Sequence, residues 1–160
     1  MVDVTLICVG KMKEKFYVEA AAEYEKRLKG YCKLSIVELP EQHLPKNPSL
    51  GEIQSALEKE GDAIRGKIPP SSSVIAMAIE GKMRSSEELS QLISGWAHGP
   101  EKHLVFVIGG SYGLHPSIKA GAWCTLSMSS MTFPHHLARV MLLEQIYRAF
   151  KIQEGGDYHK

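Results

Sequence analysis

The chain has 160 residues, 44% hydrophobic and 23% charged, with a formal net charge of +1. One domain with a substantial core is expected, because a chain of this length buries roughly two thirds of its unfolded surface. The near-neutral charge argues against a protein that holds nucleic acid by bulk positive charge, so any nucleic-acid recognition would need a local patch, a dimer cleft or shape. The cysteines Cys8, Cys32 and Cys124 include no Cys-x-x-Cys pair, which argues against a disulfide framework or a zinc site. Cys8 and Cys124 lie in apolar runs and read as small core residues. A reducing, cytoplasmic setting with no membrane and no metal is expected. The apolar start, residues 2–9, is short, contains Asp3 and follows no basic stretch. No apolar run approaches the ~18 residues of a membrane span.

Strand and helix signals alternate along the chain. Residues 4–9 (VTLICV) form a buried-strand candidate closed by Gly10. Residues 13–29 read as a helix, with Phe16, Ala20, Ala21, Tyr24 and Leu28 near helical spacing and Gly30 at the stop. A second strand, 34–39, ends at Pro40, and the three prolines of 40–48 mark a loop. A polar helix is expected over 50–68, weakened by Gly51, Gly61 and Gly66. After a turn at 69–73, residues 74–79 form the third strand. Ser85 and Glu88 make a capping box for a helix to about Trp96. Residues 104–108 (LVFVI) are the clearest buried strand and run into Gly109-Gly110-Ser111-Tyr112-Gly113. A short helix follows from about Pro116, then a fifth strand over 123–128. Pro134 is placed at the first position of a long helix to about Ile152. Strands separated by helices imply an α/β fold with a mostly parallel sheet. Ligands in such sheets bind beyond the carboxyl ends of the strands, here the loops after Ile79, Ile108 and Met128.

Two of these loops carry chemistry. Three glycines within 109–113 permit a sharp turn and close approach to main chain. The spacing is neither the dinucleotide fingerprint nor a P-loop, and a purely structural turn is the alternative. Met128-Ser129-Ser130-Met131-Thr132-Phe133-Pro134-His135 mixes apolar side chains, hydroxyls and free backbone between strand and helix. That mixture suits an adenine ring and a ribose better than a triphosphate. The alternative is a helix start capped by Thr132. The last helix is apolar on more than one face, which suggests a homodimer interface or a central helix of the monomer. No metal-ligand spacing occurs among the seven histidines. His43, His98, His103 and His115 read as surface or packing residues. The lysines of 11–33 are interleaved with glutamates, which favours a solvated face.

Across its whole length the sequence resembles the SPOUT superfamily, and within it the small ribosomal RNA large-subunit methyltransferase H family. The residues that carry the likeness are Val9-Gly10-Lys11, Gly81-Lys82, Ile108-Gly109-Gly110 with Gly113-Leu114, Met131-Thr132-Phe133-Pro134-His135, Arg139, Tyr147-Arg148-Ala149 and Tyr158-His159-Lys160. The resemblance implies a single domain with a C-terminal deep trefoil knot and a homodimer with the knotted region at its interface. It implies methyl transfer from S-adenosyl-L-methionine to N3 of a pseudouridine in 23S rRNA on the assembled ribosome. The implied cofactor residues are Met77, Gly109, Met128, Ser129, Ser130, Met131, Thr132 and Phe133. The implied substrate residues are His135, Arg148, Tyr158, His159 and Lys160, of which His159, Arg148 and Tyr158 are the catalytic candidates. Arg148 and Lys160 would meet phosphates, Tyr158 would stack on a base, and His159 would ease removal of the N3 proton. The tail is expected to order only on RNA. Relatives often carry an acidic residue at the place of Ala78, and Glu80 lies two residues on. The competing readings are a flavin- or nucleotide-binding α/β protein and a non-enzymatic ribosome-associated protein.

Overall fold

Alternation of side chains along parallel strands decides the layering. The computed structural model describes all 160 residues, Met1–Lys160. Ten elements follow in order: β1 (Val2–Val9), α1 (Lys15–Leu28), β2 (Cys32–Leu39), α2 (Leu50–Arg65), β3 (Ser72–Met83), α3 (Ser86–Ala97), β4 (His103–Ile108), α4 (Pro116–Gly121), β5 (Cys124–Ser127) and α5 (His135–Gln153). All five strands are parallel, in the order β2-β1-β4-β3-β5. Leu6 of β1 pairs with Ile36 on one side and Phe106 on the other. Alternate residues therefore feed two separate cores. Val4, Leu6, Cys8, Leu104, Phe106 and Ile75 pack against α1, α3 and α5. Ile7, Val9, Val105, Val107 and Ala76 pack against Ile64 of α2 and Ile118 of α4. A parallel sheet covered on both faces explains why these strands read as continuous apolar runs.

The helices follow from the same arithmetic. Steps toward β2 carry α1 and α3 on one face, and steps toward β5 carry α2 and α4 on the other. All four crossovers thus share one hand, as parallel connections require. The expected capping box at Ser85 is present, and Ser49 with Glu52 forms a second. Helix α5 lies between α1 and α3, and no residue from 135 to 152 is exposed. Its two apolar faces are thus largely accounted for within one chain, as the central-helix alternative held. No helix is long and apolar enough to cross a membrane.

Several expectations are corrected. Pro134 is the N-cap of α5, with ψ 137°, and Thr132 makes no capping bond. Helix α2 ends at Arg65, three residues before the expected stop. Cys124 is only half-buried. Strand β3 continues to Met83 because it resumes pairing after an excursion: Met77 and Lys82 both face Leu126, and residues 78–81 bulge between them. Gly81 permits this, since a Cβ there would lie 2.9 Å from the Leu126 nitrogen.

A buried guanidinium joins the two ends of the chain. Arg139, 4% exposed, donates to Glu38 Oε2 at 2.7 Å and to the Gly10 carbonyl at 3.0 Å, while Met12 N–H donates to the same carboxylate. Burial opposes ionisation of Glu38, but the Met12 N–H and Arg139 outweigh it and hold the carboxyl below its ordinary range. Replacing Arg139 by Leu should cost about 2 kcal/mol, below the ~3–5 kcal/mol of a fully buried pair because the Glu38 side chain is 35% exposed. Since the folded Glu38 is the more acidic state, its contribution is complete above the ordinary carboxylate range and lost as pH falls from there through its lower folded value. Urea titrations should therefore show the gap between wild type and variant narrowing below about pH 4.

Candidate functional site

The bulge of β3 and the loops that leave the carboxyl ends of β4 and β5 enclose a cavity of about 770 Å³. Met77 and Ile79 form one wall, Ile108 to Leu114 the second, and Met128 to His135 the third, with Leu126 and Ala138 beneath. Seven of the eight expected cofactor residues line it: Met77, Gly109, Met128, Ser129, Met131, Thr132 and Phe133. Ser130 belongs to the same loop but not to the lining. His135, expected on the substrate side, reaches the cavity as well.

The glycine loop is locked by its own backbone. Gly113 donates to the Gly110 carbonyl at 3.0 Å and adopts φ +80°, a region open to glycine. A Cβ on Gly109 would sit 2.3 Å from the Gly113 carbonyl oxygen. Ser111 N–H donates to Glu41 Oε1 at 2.7 Å. Burial works to raise the pKa of Glu41, yet the Ser111 bonds and the nearby His135 and His136 outweigh it, so the carboxylate is held ionised below its usual range. Nothing in the local sequence singled out Glu41. The available signal was position, because it lies just beyond β2 on the ligand-binding rim.

The third wall is different in kind. Residues 128–133 make no hydrogen bond to any other main-chain group. Met131 N–H is satisfied by Ser129 Oγ at 3.0 Å, and Ser127 Oγ donates to the Ser129 carbonyl. Its remaining main-chain groups are free to meet a ligand among apolar side chains. Lys119, the one lysine on the cavity, is held by Glu80 at 2.5 Å. That hydrogen bond from Lys119 lowers the Glu80 pKa. Glu80 and Lys119 were not among the expected site residues, and their pairing across 39 positions has no local signature.

The C-terminal candidates gather elsewhere. Arg148 is held by Glu144 through Nε at 2.7 Å and Nη2 at 2.5 Å, and its guanidinium lies 4.7 Å from the Tyr158 ring centre. Tyr158 stands edge-on to Tyr147 at 4.9 Å. Arg148 Nη1 donates to His159 Nδ1 at 3.0 Å, so the proton sits on Nε2, which faces Glu87 at 2.7 Å. The tail thus packs against α5 and α3 within the chain. Arg148 stands thirteen residues beyond His135 on α5, about 20 Å along the helix. Within one chain, the cavity and the tail cluster occupy opposite ends of α5. Lys160 is exposed at the end of the tail.

A model of one protein family, described as "Predicted SPOUT methyltransferase", matches residues 2–159. The chain belongs to the SPOUT methyltransferase family. Among solved structures, it is similar to a probable methylase family protein from Haemophilus influenzae Rd KW20, at 13% identity and a TM-score of 0.55. The likeness covers 100% of this chain and 72% of that one. At that identity the likeness concerns the fold, and it agrees with the parallel α/β architecture. In this SPOUT chain the 109–113 loop and the 128–133 loop face each other across the cavity.

The loop geometry makes a direct prediction. Gly109→Ala should lower stability by about 1–3 kcal/mol and break the Gly110–Gly113 bridge, because its methyl meets backbone that cannot swing aside. Gly30→Ala, where a Cβ meets nothing within 4 Å, should stay near wild type. Thermal melts and amide exchange at Gly113 would check both.

Proposed function

We propose that this SPOUT methyltransferase binds S-adenosyl-L-methionine in the 770 Å³ cavity and methylates N3 of a pseudouridine in 23S rRNA on the assembled ribosome. One observation carries the reading. The cavity is largely apolar, has one wall (128–133) whose main chain lacks main-chain partners, and has its single lysine already paired with Glu80. Adenine needs apolar walls with a few backbone donors and acceptors, and a sulfonium needs no phosphate cradle. A flavin or nucleotide phosphate would find no free lysine or arginine on this lining. The SPOUT family generally uses this cofactor. When bound, it supplies an electrophilic methyl group.

The chain's own residues would do the rest. Residues 128–133 and Gly109 would hold and orient the cofactor, so that much of the rate comes from positioning. His135 stands at the junction of the cavity and the substrate side. His159 is assigned the easing of N3 proton loss, with Tyr158 stacking on a base and Arg148 and Lys160 meeting phosphate. In the packed tail neither His159 nitrogen is free, since one accepts from Arg148 and the other faces Glu87. Catalysis would therefore begin with release of His159 Nδ1 from Arg148, since Nε2 already carries the proton.

The 20 Å between cavity and tail supports a homodimer, in which one protomer's tail cluster serves its partner's cavity. A groove of about 500 Å³ beside α5, bordered by Tyr24, Arg84, Met128, Val140 and Met141, gives such a partner a place. We assign the C-terminal segment to a trefoil knot on the strength of the SPOUT family membership.

The decisive experiment is methyl transfer from labelled S-adenosylmethionine to ribosomes and separated subunits, with mapping of the modified base. Label on one 23S pseudouridine is expected, and no label with no cofactor binding would sink the proposal. Removing Tyr158 to Lys160 should spare cofactor affinity, measured by calorimetry, and reduce RNA methylation at least a hundredfold (~2.7 kcal/mol of transition-state stabilisation). Undiminished methylation would remove the tail from the mechanism. Diluting the enzyme below its dimer dissociation constant should abolish specific activity.

A further inference from the structure

Outside the cavity, the most unusual surface is a row of rings that leads away from it. Phe16, in the first turn of α1, is 65% exposed. Its ring lies 4.4 Å from that of Tyr17, Tyr17 lies 6.4 Å from His136, and His136 lies 4.2 Å from His135. The row thus runs from open solvent to a residue on the cavity wall. Lys11 and Lys13, both exposed, sit in the loop between β1 and α1 that enters this row. Neither forms an ion pair, whereas Lys15 has Glu19 at 3.7 Å.

The support beneath the row is rigid. Gly10, at φ +105°, lets the loop run under the imidazoles, for a Cβ there would stand 3.0 Å from His135 Nε2. Arg139 and Glu38 fix the same loop. His136 is half-buried with Nδ1 unpartnered, and its pKa is lowered first by burial and then by His135 and Arg139.

We propose that Phe16, Tyr17, His136 and His135, flanked by Lys11 and Lys13, form a stacking track that receives single-stranded RNA beside the methylated base. The proposal rests on the RNA-methylating reading above and adds a recognition surface to it. Sequence-tolerant single-strand sites combine aromatic faces with nearby cations in this way. Charge favours RNA over an apolar protein partner, since the unpaired Lys11 and Lys13 outnumber the one unpaired carboxylate, Glu14, beside the rings. Continuity with the cavity decides for the substrate strand, since the last ring lines both.

The test uses the full-length protein, a fluorescein-labelled stem-loop RNA with a single-stranded loop, and ribosomes as methyl acceptor. Phe16→Ala should weaken RNA binding and raise KM for ribosomes about tenfold, the scale of one lost stacked base, with kcat and cofactor affinity unchanged. Phe16→Trp should restore wild-type binding. The Lys11→Gln, Lys13→Gln double variant should reduce the slope of log affinity against log salt by about 1.4. Phe16 is exposed, so loss of fold does not confuse the result. Unchanged RNA affinity in Phe16→Ala would overturn the track. So would a shift of that variant from dimer to monomer in sedimentation, which would make the rings a subunit interface. If wild type binds the RNA but transfers no methyl group, the catalytic reading fails. The binding series then still decides the track. If wild type binds no RNA, the track is overturned.

Discussion

The arrangement depends on one guanidinium. Arg139 is buried beneath the rim, and its hydrogen bonds reach the carbonyl of Gly10 and the carboxylate of Glu38. These groups end β1 and β2, while Arg139 itself opens α5. A buried cation without a counter-charge is strongly unfavourable, so Glu38 is obligatory once Arg139 is inside. Met12 N–H shares that carboxylate, which fixes the β1–α1 loop as well. The position of α5 relative to the sheet is thereby set at its N-terminal end. That end carries His135, and the loop preceding it forms the third wall of the cavity.

The cavity wall then divides its work between two kinds of backbone. The 109–113 loop is self-bonded and supplies a fixed surface. The 128–133 loop leaves its main chain to the ligand. Pairing of the cavity's one lysine with Glu80 keeps the site close to neutral. Such a site distinguishes ligands by shape and by a few donors and acceptors, and it offers phosphates no unpaired lysine or arginine. Farther along α5, Glu144 and Glu87 hold the cationic tail cluster in place, so the two chemistries remain apart within one chain.

Much of this was legible in the residues. All five strands were recognisable because each is apolar and ends near Gly, Pro or a polar turn. Residues 104–108 were the clearest, being buried on both faces between β1 and β3. The Ser85–Glu88 box was readable because capping is local. The Ser49–Glu52 box carried the same signal, and the glycines around it obscured the helix end at Arg65. Residues 78–81 could not be read, because the bulge exists only through pairing with Leu126 far along the chain. The same holds for Glu38 with Arg139 and for Glu80 with Lys119, whose partners lie tens of residues away. Pattern reading finds the periodicity of a segment, but it does not find which charges meet. The packed tail was missed for that reason, since Glu87 and Glu144 are its partners.

The strand order β2-β1-β4-β3-β5 also bears on how the chain acquires its fold. The first two strands can pair as they are made, but β3 has no neighbour among them. The sheet becomes continuous only when β4 inserts between β1 and β3, bonding to both. Until residue 108 has emerged, β1 and β3 each present an open edge of unsatisfied backbone. Such edges are templates for foreign strands, and long-range parallel pairing is slow. The nascent chain is thus most vulnerable to aggregation during synthesis of its third quarter, and a chaperone that masks strand edges would act in that interval.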